Sequence, residues 1–528
     1  MALTGKQTAD VRLRLSPAQW WTLVVSCLSV ALVVGAMAAL YASLPEIAAA
    51  TGASQQQLTW IIDGYTLALA CLVLPAGAVG DRYGRRAVLV IGLAVFSAGS
   101  AVPIVVDDPL WIIAARAVAG VGAAFVMPST LSLLTAGFPD SQRGRAVGVW
   151  AGVAGSGAVL GILCSGLLLN YWSWVSSFAG MTAAGVVLLA LALTIAESQD
   201  QSHTALDPWG SAWVAIAIGL AVVALIEGPA RGWTDPVVVG GFLGSAVAAV
   251  LFVVVELRVD HPLLDVRLFG DRGFGSGTVS VALQFLVTFG VFMLLVQYLQ
   301  LILGYAPLPS AIALVPMGVP LVIISLFAPW LSDRVGLRVV TAAGLVVIGV
   351  GLIISSRLDV NSDYWPLLYA LLVMSTGLGL CTAPATAAIV KGTPVEKHGV
   401  AAAVNDAARE VGAAVGIAIA GSILAAGYAD RVTPALTGLP EPLRGPFSES
   451  LAAAAEAADR AGPQGAQLVE VAQSAFVHGS QQASIVLACI TFAAAATLAV
   501  WAPGRTQPRA TTPEDEAQTV PSGSRNLR

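Results

Sequence analysis

Long apolar stretches separated by short polar segments run along almost the whole chain. At about 20 apolar residues per membrane-spanning helix, the pattern predicts fourteen spans and no soluble domain. The predicted limits are 19–44, 57–79, 87–106, 110–134, 146–169, 174–196, 208–226, 237–256, 276–299, 309–331, 339–356, 365–390, 400–427 and 483–501. The pattern therefore predicts an all-α membrane protein.

Composition agrees with a chain that crosses the membrane many times. Only 11% of the 528 residues are charged, against about 25% in an average soluble protein. The first apolar stretch is too long for a signal-peptide core of about 7–15 residues. It is therefore predicted to be the first span.

The positive charges are distributed unevenly between the two sides of the predicted spans. Of the 26 Lys and Arg residues, nineteen lie in the terminal segments and in connections that follow even-numbered spans, and five lie in the other connections. The remaining two, Arg116 and Arg409, lie within spans. By the positive-inside rule this predicts that both termini are cytoplasmic, with residues 1–18 forming the cytoplasmic N-terminus.

Two segments outside the spans have a composition of their own. Residues 428–482 are alanine-rich, with a helix-breaking "GPQG" at 462–465, which predicts a helical hairpin on the extracytoplasmic surface. Residues 502–528 lack apolar periodicity and are predicted to form a disordered cytoplasmic tail.

A short motif occurs twice in the chain. "GAVGDRYGRR" (77–86) follows the second predicted span, and "SDRVGLR" (332–338) follows the tenth, so both contain D-R-x-G-x-R. Two repeated six-helix halves, 19–196 and 257–501, separated by two linker helices in 197–256, explain this spacing. Parallel six-helix halves are the layout of major facilitator transporters.

Sequence motifs extend this likeness from about residue 20 to residue 500. The 77–86 segment resembles the signature that major facilitator proteins have between helices 2 and 3, and fourteen spans point to their 14-helix drug:proton antiporter branch. The segments that resemble quaternary-ammonium and multidrug exporters of that branch are "WIIDGYTLALA" (60–70), "RAVAGVGAAFVMPSTLSLL" (116–134) and "AAAVNDAAREVGAAVGIAIAGSIL" (401–424). The resemblance implies proton-coupled antiport of lipophilic cations by alternating access.

Two motifs of that branch are altered in this chain. Ala36 and Tyr41 occupy the positions where the branch usually has an Asp and an Asn in helix 1. "GILCSG" in helix 5 has Ile162 and Ser165 in place of a Pro and a Gly. Proton antiport is therefore implied by the resemblance and not by these two motifs.

Acidic residues within the spans are the first candidates for proton or cation binding. Asp63 interrupts the apolar run 58–74, where a carboxylate costs roughly 2.5–3.5 kcal/mol on insertion scales. Asp406 and Glu410 are four residues apart and share one face of a helix, with Arg409 beside them. A structural ion pair or triad is the alternative interpretation for each.

The resemblance implies a coupling role for Arg116, because the family has an arginine near its coupling carboxylate in helix 4. In this role Arg116 would set the pKa of Asp63 or of another acid. The alternative is a structural arginine whose side chain extends to the membrane surface. The D-R-x-G-x-R segments are predicted to form a conformational latch, or else only to anchor the topology. The latch residues are Gly77, Gly80, Asp81, Arg82, Gly84, Arg85, Arg86, Asp333 and Arg334.

Aromatic residues within the spans are candidates for the wall of a substrate cavity. Phe285, Phe289 and Phe292 recur at i, i+4 and i+7 on the ninth span, and Trp60 and Tyr65 flank Asp63. Aromatic faces attract cations through the ring quadrupole. Ordinary helix packing is the more common explanation of such a stripe, and an aromatic wall is the alternative.

The sequence also argues against several classes of protein. The cysteines lie inside apolar stretches and the four histidines are scattered, so neither a disulfide framework nor a metal site is predicted. No G-x-x-x-x-G-K-[ST] segment for ATP and no nucleophile–base set is present. We expect no enzyme activity, no cofactor and no nucleic-acid partner.

These features together predict a monomeric secondary active exporter in the cytoplasmic membrane of a bacterium. Its expected partners are small lipophilic cations, protons and membrane lipid. One alternative is an exporter of a lipid, metabolite or siderophore with the same fold. A second is a membrane sensor or assembly factor that transports nothing, against which the two complete halves argue.

Overall fold

Helices make up nearly all of the part of the chain that the structure describes. The computed structural model describes residues 15–53, 55–197, 207–394, 397–436 and 463–504, together with 447, 451 and 454. Within these residues there are no strands, and fourteen helices are long and apolar enough to cross a membrane. We label them α1 (Pro17–Ala38), α2 (Gln55–Tyr83), α3 (Arg85–Ala101), α4 (Pro109–Gly137), α5 (Asp140–Leu169), α6 (Val175–Ala192), α7 (Pro208–Arg231), α8 (Pro236–Glu256), α9 (Arg272–Leu301), α10 (Gly318–Val335), α11 (Leu337–Ser355), α12 (Tyr364–Lys391), α13 (His398–Leu436) and α14 (Pro463–Trp501).

Local sequence signals account for several helix starts. Asp108, Asp207 and Asp235 each precede a proline, and each side chain accepts a hydrogen bond from a backbone N–H of the first turn. An Asp cap satisfies an N–H that has no partner within the helix, and proline suits the first helical position because it lacks one. These Asp-Pro pairs fix the starts of α4, α7 and α8.

The spanning helices form two bundles with separate apolar cores. One core is built mainly from α1–α6 and the other from α9–α14. The bundles meet where α5 packs against α10 and where α13 packs against α2 and α4. The predicted fold class is therefore confirmed.

Equivalent residues of the two D-R-x-G-x-R segments have equivalent structures. Gly84 and Gly336 both have positive φ, 104° and 94°, which glycine adopts without steric cost. Arg86 donates to the carbonyl of Ile195, just after α6, and Arg338 donates to the carbonyl of Ala502, just after α14. In each half this arginine ties the start of the third helix to the end of the sixth.

The linker helices form a hairpin at the side of the two bundles. α7 packs against α2 and α13, whereas α8 packs mainly against α7. Only four residues of α8 are buried. Many of its apolar side chains are exposed, Leu243 and Val250 by more than 60%, so this helix presents an apolar surface suited to lipid.

The last two helices extend beyond the predicted limits of their spans. α13 and α14 have 39 residues each, a length of about 58 Å at 1.5 Å per residue. The ends of the predicted hairpin 428–482 belong to these helices, since α13 ends at Leu436 and α14 begins at Pro463. Its middle, like residues 1–14 and the tail after 504, lies outside the described residues.

Candidate functional site

Two acids and one arginine on α13 form a buried charged cluster between the bundles. Asp406, Arg409 and Glu410 are each less than 5% exposed. Arg409 Nη1 lies 3.6 Å from Asp406 Oδ1. Oδ2 of Asp406 and Oε2 of Glu410 have no hydrogen-bond partner among the described residues. Among the described residues Asp406 forms an ion pair with Arg409 and Glu410 forms none, so the cluster has one negative charge more than it can neutralise when both acids are ionised.

Aromatic rings from both bundles hold Arg409 in place. Its guanidinium carbon lies 4.4 Å from the ring centroid of Phe285 on α9 and 5.4 Å from that of Trp150 on α5. Trp150 is fully buried and donates through Nε1 to Thr130 on α4. Arg409 therefore makes cation–π contacts with both halves of the molecule.

Neutral polar side chains support the cluster from within the second bundle. Asn405 donates to Asp406 Oδ1 at 3.2 Å and accepts from Thr386 on α12 at 2.9 Å. Sequence analysis missed Asn405 and Trp150 as members of the site. The adjacency of Asn405 to Asp406 was a usable signal, whereas nothing in the sequence links Trp150 to α13.

Asp63 lies apart from this cluster. It is the fourth residue of the candidate span that begins at Trp60, so it lies near the end of that span and not at its centre. The carboxyl is half-buried and makes no hydrogen bond or ion pair with any described residue. The charged group that acts on it electrostatically is Glu227 on α7, which is paired with Arg231.

Arg116 is buried next to α1 and α2. Its Nε donates to the carbonyl of Ile61 at 3.0 Å, and its Nη2 donates to the carbonyl of Ala36 at 3.2 Å. The guanidinium carbon lies 4.3 Å from the ring centroid of Tyr65. Arg116 is 1% exposed, so its side chain does not extend to the membrane surface in this structure.

The five predicted cavity aromatics do not line one common space. Phe285 and Phe289 stack with a centroid separation of 5.9 Å beside Arg409. Tyr65 stacks on Arg116, while Trp60 is half-buried. Phe292 lines a cavity of about 20 Å³ inside the second bundle. Drug-sized ligands occupy pockets of about 300–1,000 Å³, so this cavity is far too small for one.

Asp81 connects the two bundles at the other end of α2. Its carboxylate accepts hydrogen bonds from Arg85 and from the backbone N–H groups of Gly399 and Val400, at 2.8–3.2 Å. The two backbone groups belong to the first turn of α13, where an acid is favourable. Gly77 packs so closely that a Cβ there would collide with the backbone of Gly399. The bundles are therefore closed at this end.

Other predicted latch residues anchor neighbouring elements. Glu197, which sequence analysis missed, accepts from the N–H groups of Arg86 and Ala87 and so caps α3. A Cβ at Gly84 would lie 2.9 Å from this carboxylate, so the Glu197 side chain would have to shift. Arg82 lies over the ring of Tyr83, 5.4 Å from its centroid. Gly80 faces Ser129 with space for a methyl group.

The second D-R-x-G-x-R segment does not connect the bundles in the same way. Asp333 is exposed and makes no hydrogen bond or ion pair with the described residues. Arg334 lies over the exposed ring of Trp330, 4.2 Å from its centroid. Of the two equivalent acids, only Asp81 bridges the halves.

Comparison with known proteins establishes the class of molecule. The Major Facilitator Superfamily profile matches residues 26–417, and the chain belongs to that superfamily. Its relatives and structural neighbours are membrane transporters and not enzymes. In the described residues no group of His, Cys, Asp or Glu side chains is suited to hold a metal ion.

Two relatives illustrate the likeness in sequence. The multidrug efflux pump LfrA of Mycolicibacterium smegmatis is 32% identical over 487 residues, which cover 91% of this chain and 96% of LfrA. The methyl viologen resistance protein SmvA of Salmonella typhimurium is 31% identical over 470 residues, covering 87% of this chain and 93% of SmvA. The human organic anion transporter MFSD10 shares the fold alone, with a TM-score of 0.60 at 14% identity over 92% of this chain and all of that one.

Proposed function

We propose that the protein is a proton-coupled exporter of lipophilic, cationic compounds that works by alternating access. The observation that supports this most directly is the charge balance of the α13 cluster, where Arg409 is paired with Asp406 and no described residue forms an ion pair with Glu410. The excess carboxyl can bind either a proton or a positively charged compound. Competition between the two at one buried site is sufficient for exchange.

The position of the cluster fits this exchange. Arg409 contacts Trp150 of the first bundle and Phe285 of the second. A change in the protonation of Glu410 or Asp406 would alter the attraction on Arg409 and thereby its contacts across the interface. Protonation is thus linked to the relative position of the two halves.

The relatives support export and cationic substrates. LfrA is named as a multidrug efflux pump, and SmvA is named for resistance to methyl viologen, a compound with two positive charges. By analogy we place this protein in the cytoplasmic membrane of a bacterium, where the proton gradient supplies the energy. We also propose that it acts as a monomer.

Transport of ethidium into or out of proteoliposomes, with and without an imposed pH gradient, tests the proposal. We expect accumulation that depends on the gradient and collapses when a protonophore is added. Ethidium movement that does not depend on the pH gradient would contradict proton coupling. Absence of ethidium transport together with export of a neutral lipid or metabolite would favour the alternative exporter, which the missing helix-1 acid at Ala36 supports.

The latch hypothesis predicts different effects for the two repeated acids. Asp81→Asn should slow turnover about tenfold or more and leave substrate affinity nearly unchanged, because the amide cannot accept from Arg85 and the α13 backbone as the carboxylate does. Asp333→Asn is the matched control and should change turnover less than about twofold. Rates and dissociation constants in proteoliposomes check this. Equal effects of the two substitutions would refute a latch specific to Asp81.

The proposed orientation can be tested with single cysteines at exposed sites. In a background whose native cysteines are replaced by Ala, Asn361→Cys lies between α11 and α12 and should react with an impermeant thiol reagent added to intact cells. Asp260→Cys, between α8 and α9, should react only after the cells are opened. The reverse pattern would place the termini outside.

A further inference from the structure

Arg116 is a buried positive charge that the chain does not neutralise. An arginine guanidinium stays protonated in proteins, and leaving a charge buried without a counter-charge costs several kcal/mol. In the described part of the chain Arg116 makes no ion pair, and its partners are the carbonyls of Ile61 and Ala36 and the ring of Tyr65. Its Nη1 has no hydrogen-bond partner there.

The ionisable groups around Arg116 do not provide the missing charge. Tyr65 and Tyr41 are the groups that act on it electrostatically, and Tyr65 donates its proton to the carbonyl of Val33. Asp63 acts electrostatically on Tyr41, and Glu410 acts on Tyr65. Neither acid forms an ion pair with Arg116 among the described residues.

Two ionisable residues close to Arg116 are partly exposed at the surface of the molecule. Tyr41 is 48% exposed and the carboxyl of Asp63 is half-buried. Both lie towards the end of the molecule opposite Asp81. This side of Arg116 is therefore the one from which a small ligand could approach.

We propose that Arg116 is an anion-binding site that accepts a single negative charge, either a free halide ion or the carboxylate of a transported compound. Nη1 and Nη2 donate to the anion, and the Tyr65 ring fixes the guanidinium plane. If the carboxylate belongs to a transported compound, Asp63 can receive a positive group of the same molecule, so zwitterions become substrates. That extension depends on the proposed export function, whereas anion binding itself does not.

Melting of the purified full-length protein in lipid nanodiscs tests the site. Sodium chloride, acetate or benzoate replaces sodium gluconate at constant ionic strength, because the polyhydroxyl chain of gluconate is too bulky for a site between packed helices. We expect a saturable rise in melting temperature with at least one of these anions, since a ligand that binds only the folded state stabilises it. A response to chloride identifies a free halide, and a response to the carboxylates alone identifies a carboxylate ligand.

Two substitutions at Ala36 make the test specific. Ala36→Asp places a carboxylate of the chain next to Nη2 and should weaken the anion effect at least about tenfold, because the guanidinium is then paired internally. Ala36→Asn has nearly the same size without the charge and should respond as the wild type does. Arg116→Gln should abolish the response.

Three outcomes would overturn the proposal: no anion effect in the wild type, an undiminished effect in Arg116→Gln, or an undiminished effect in Ala36→Asp. Ethidium transport measured on the same preparations separates this proposal from the exporter function. Anion binding without ethidium transport would support the anion site and contradict cation export. Gradient-driven ethidium transport without an anion effect would contradict the anion site and support cation export.

Discussion

Asp63→Asn protein is expected to reach the membrane in normal amounts and to lose pH-driven export of lipophilic cations by about tenfold or more. Asparagine keeps the size and hydrogen-bonding capacity of the side chain but cannot ionise. Insertion should not suffer, because removing a charge lowers the membrane penalty. Since Asp63 has no partner among the described residues, losing its charge breaks no contact, and any effect on export concerns protons or substrate.

Monovalent and divalent cations distinguish the two possible roles of Asp63. If it binds the coupling proton, export of both should fall together. If it contacts only the substrate, divalent cations should suffer more, because two positive charges need more than one acid. Glu227→Gln is the matched comparison, since Glu227 acts on Asp63 electrostatically but is already paired with Arg231. Undiminished, gradient-driven export by the Asp63→Asn protein would show that this carboxyl binds neither the coupling proton nor the substrate.

Arg409→Met is expected to lower the stability of the protein by about 3–5 kcal/mol at pH 8. Methionine can still fill the space between Trp150 and Phe285, so the expected loss is mainly electrostatic. Without the guanidinium, two buried carboxyl groups have no positive partner. They can bind protons at low pH, so the loss should shrink as the pH falls from 8 towards 5. Thermal melting of the purified protein across this range measures the effect.

Two further variants separate charge from packing at this position. Arg409→Lys keeps the charge but loses the planar contacts with both rings, and it should cost less than Arg409→Met. Adding Asp406→Asn to Arg409→Met removes one unpaired acid and should recover part of the loss. A destabilisation that does not depend on pH would mean that Arg409 acts through packing alone.

Periodicity predicted the helices of the fold, and the repeated motif predicted the division into halves. Both are local signals, so they locate helices and equivalent loops such as those at Gly84 and Gly336. They cannot tell which helix faces which. The bond between Asp81 and the start of α13 joins residues more than 300 positions apart. The equivalent Asp333 has no such bond among the described residues although it lies in the same D-R-x-G-x-R pattern, in which Leu337 occupies the position of Arg85.

The candidate site was predicted only in part, for the same reason. Helical spacing placed Asp406 and Glu410 on one face of α13, and the structure places both in one buried cluster. Spacing also put Phe285, Phe289 and Phe292 on one stripe, yet Phe285 packs on Arg409 while Phe292 lines a cavity elsewhere. A stripe of this kind is wide enough to contact several helices, and the sequence does not show which helix each of its residues contacts.

The length of α13 and α14 has a practical consequence for following the transport cycle. Each exceeds a bilayer core of about 30 Å by more than about 20 Å, and the two are in contact near Gly427 and Gly479. Together they form a stiff arm attached to the second bundle, so any rotation of that bundle is magnified at the tip of the arm. An antibody fragment raised against this arm would serve both as a fiducial for single-particle imaging and as a pointer for the angle between the halves.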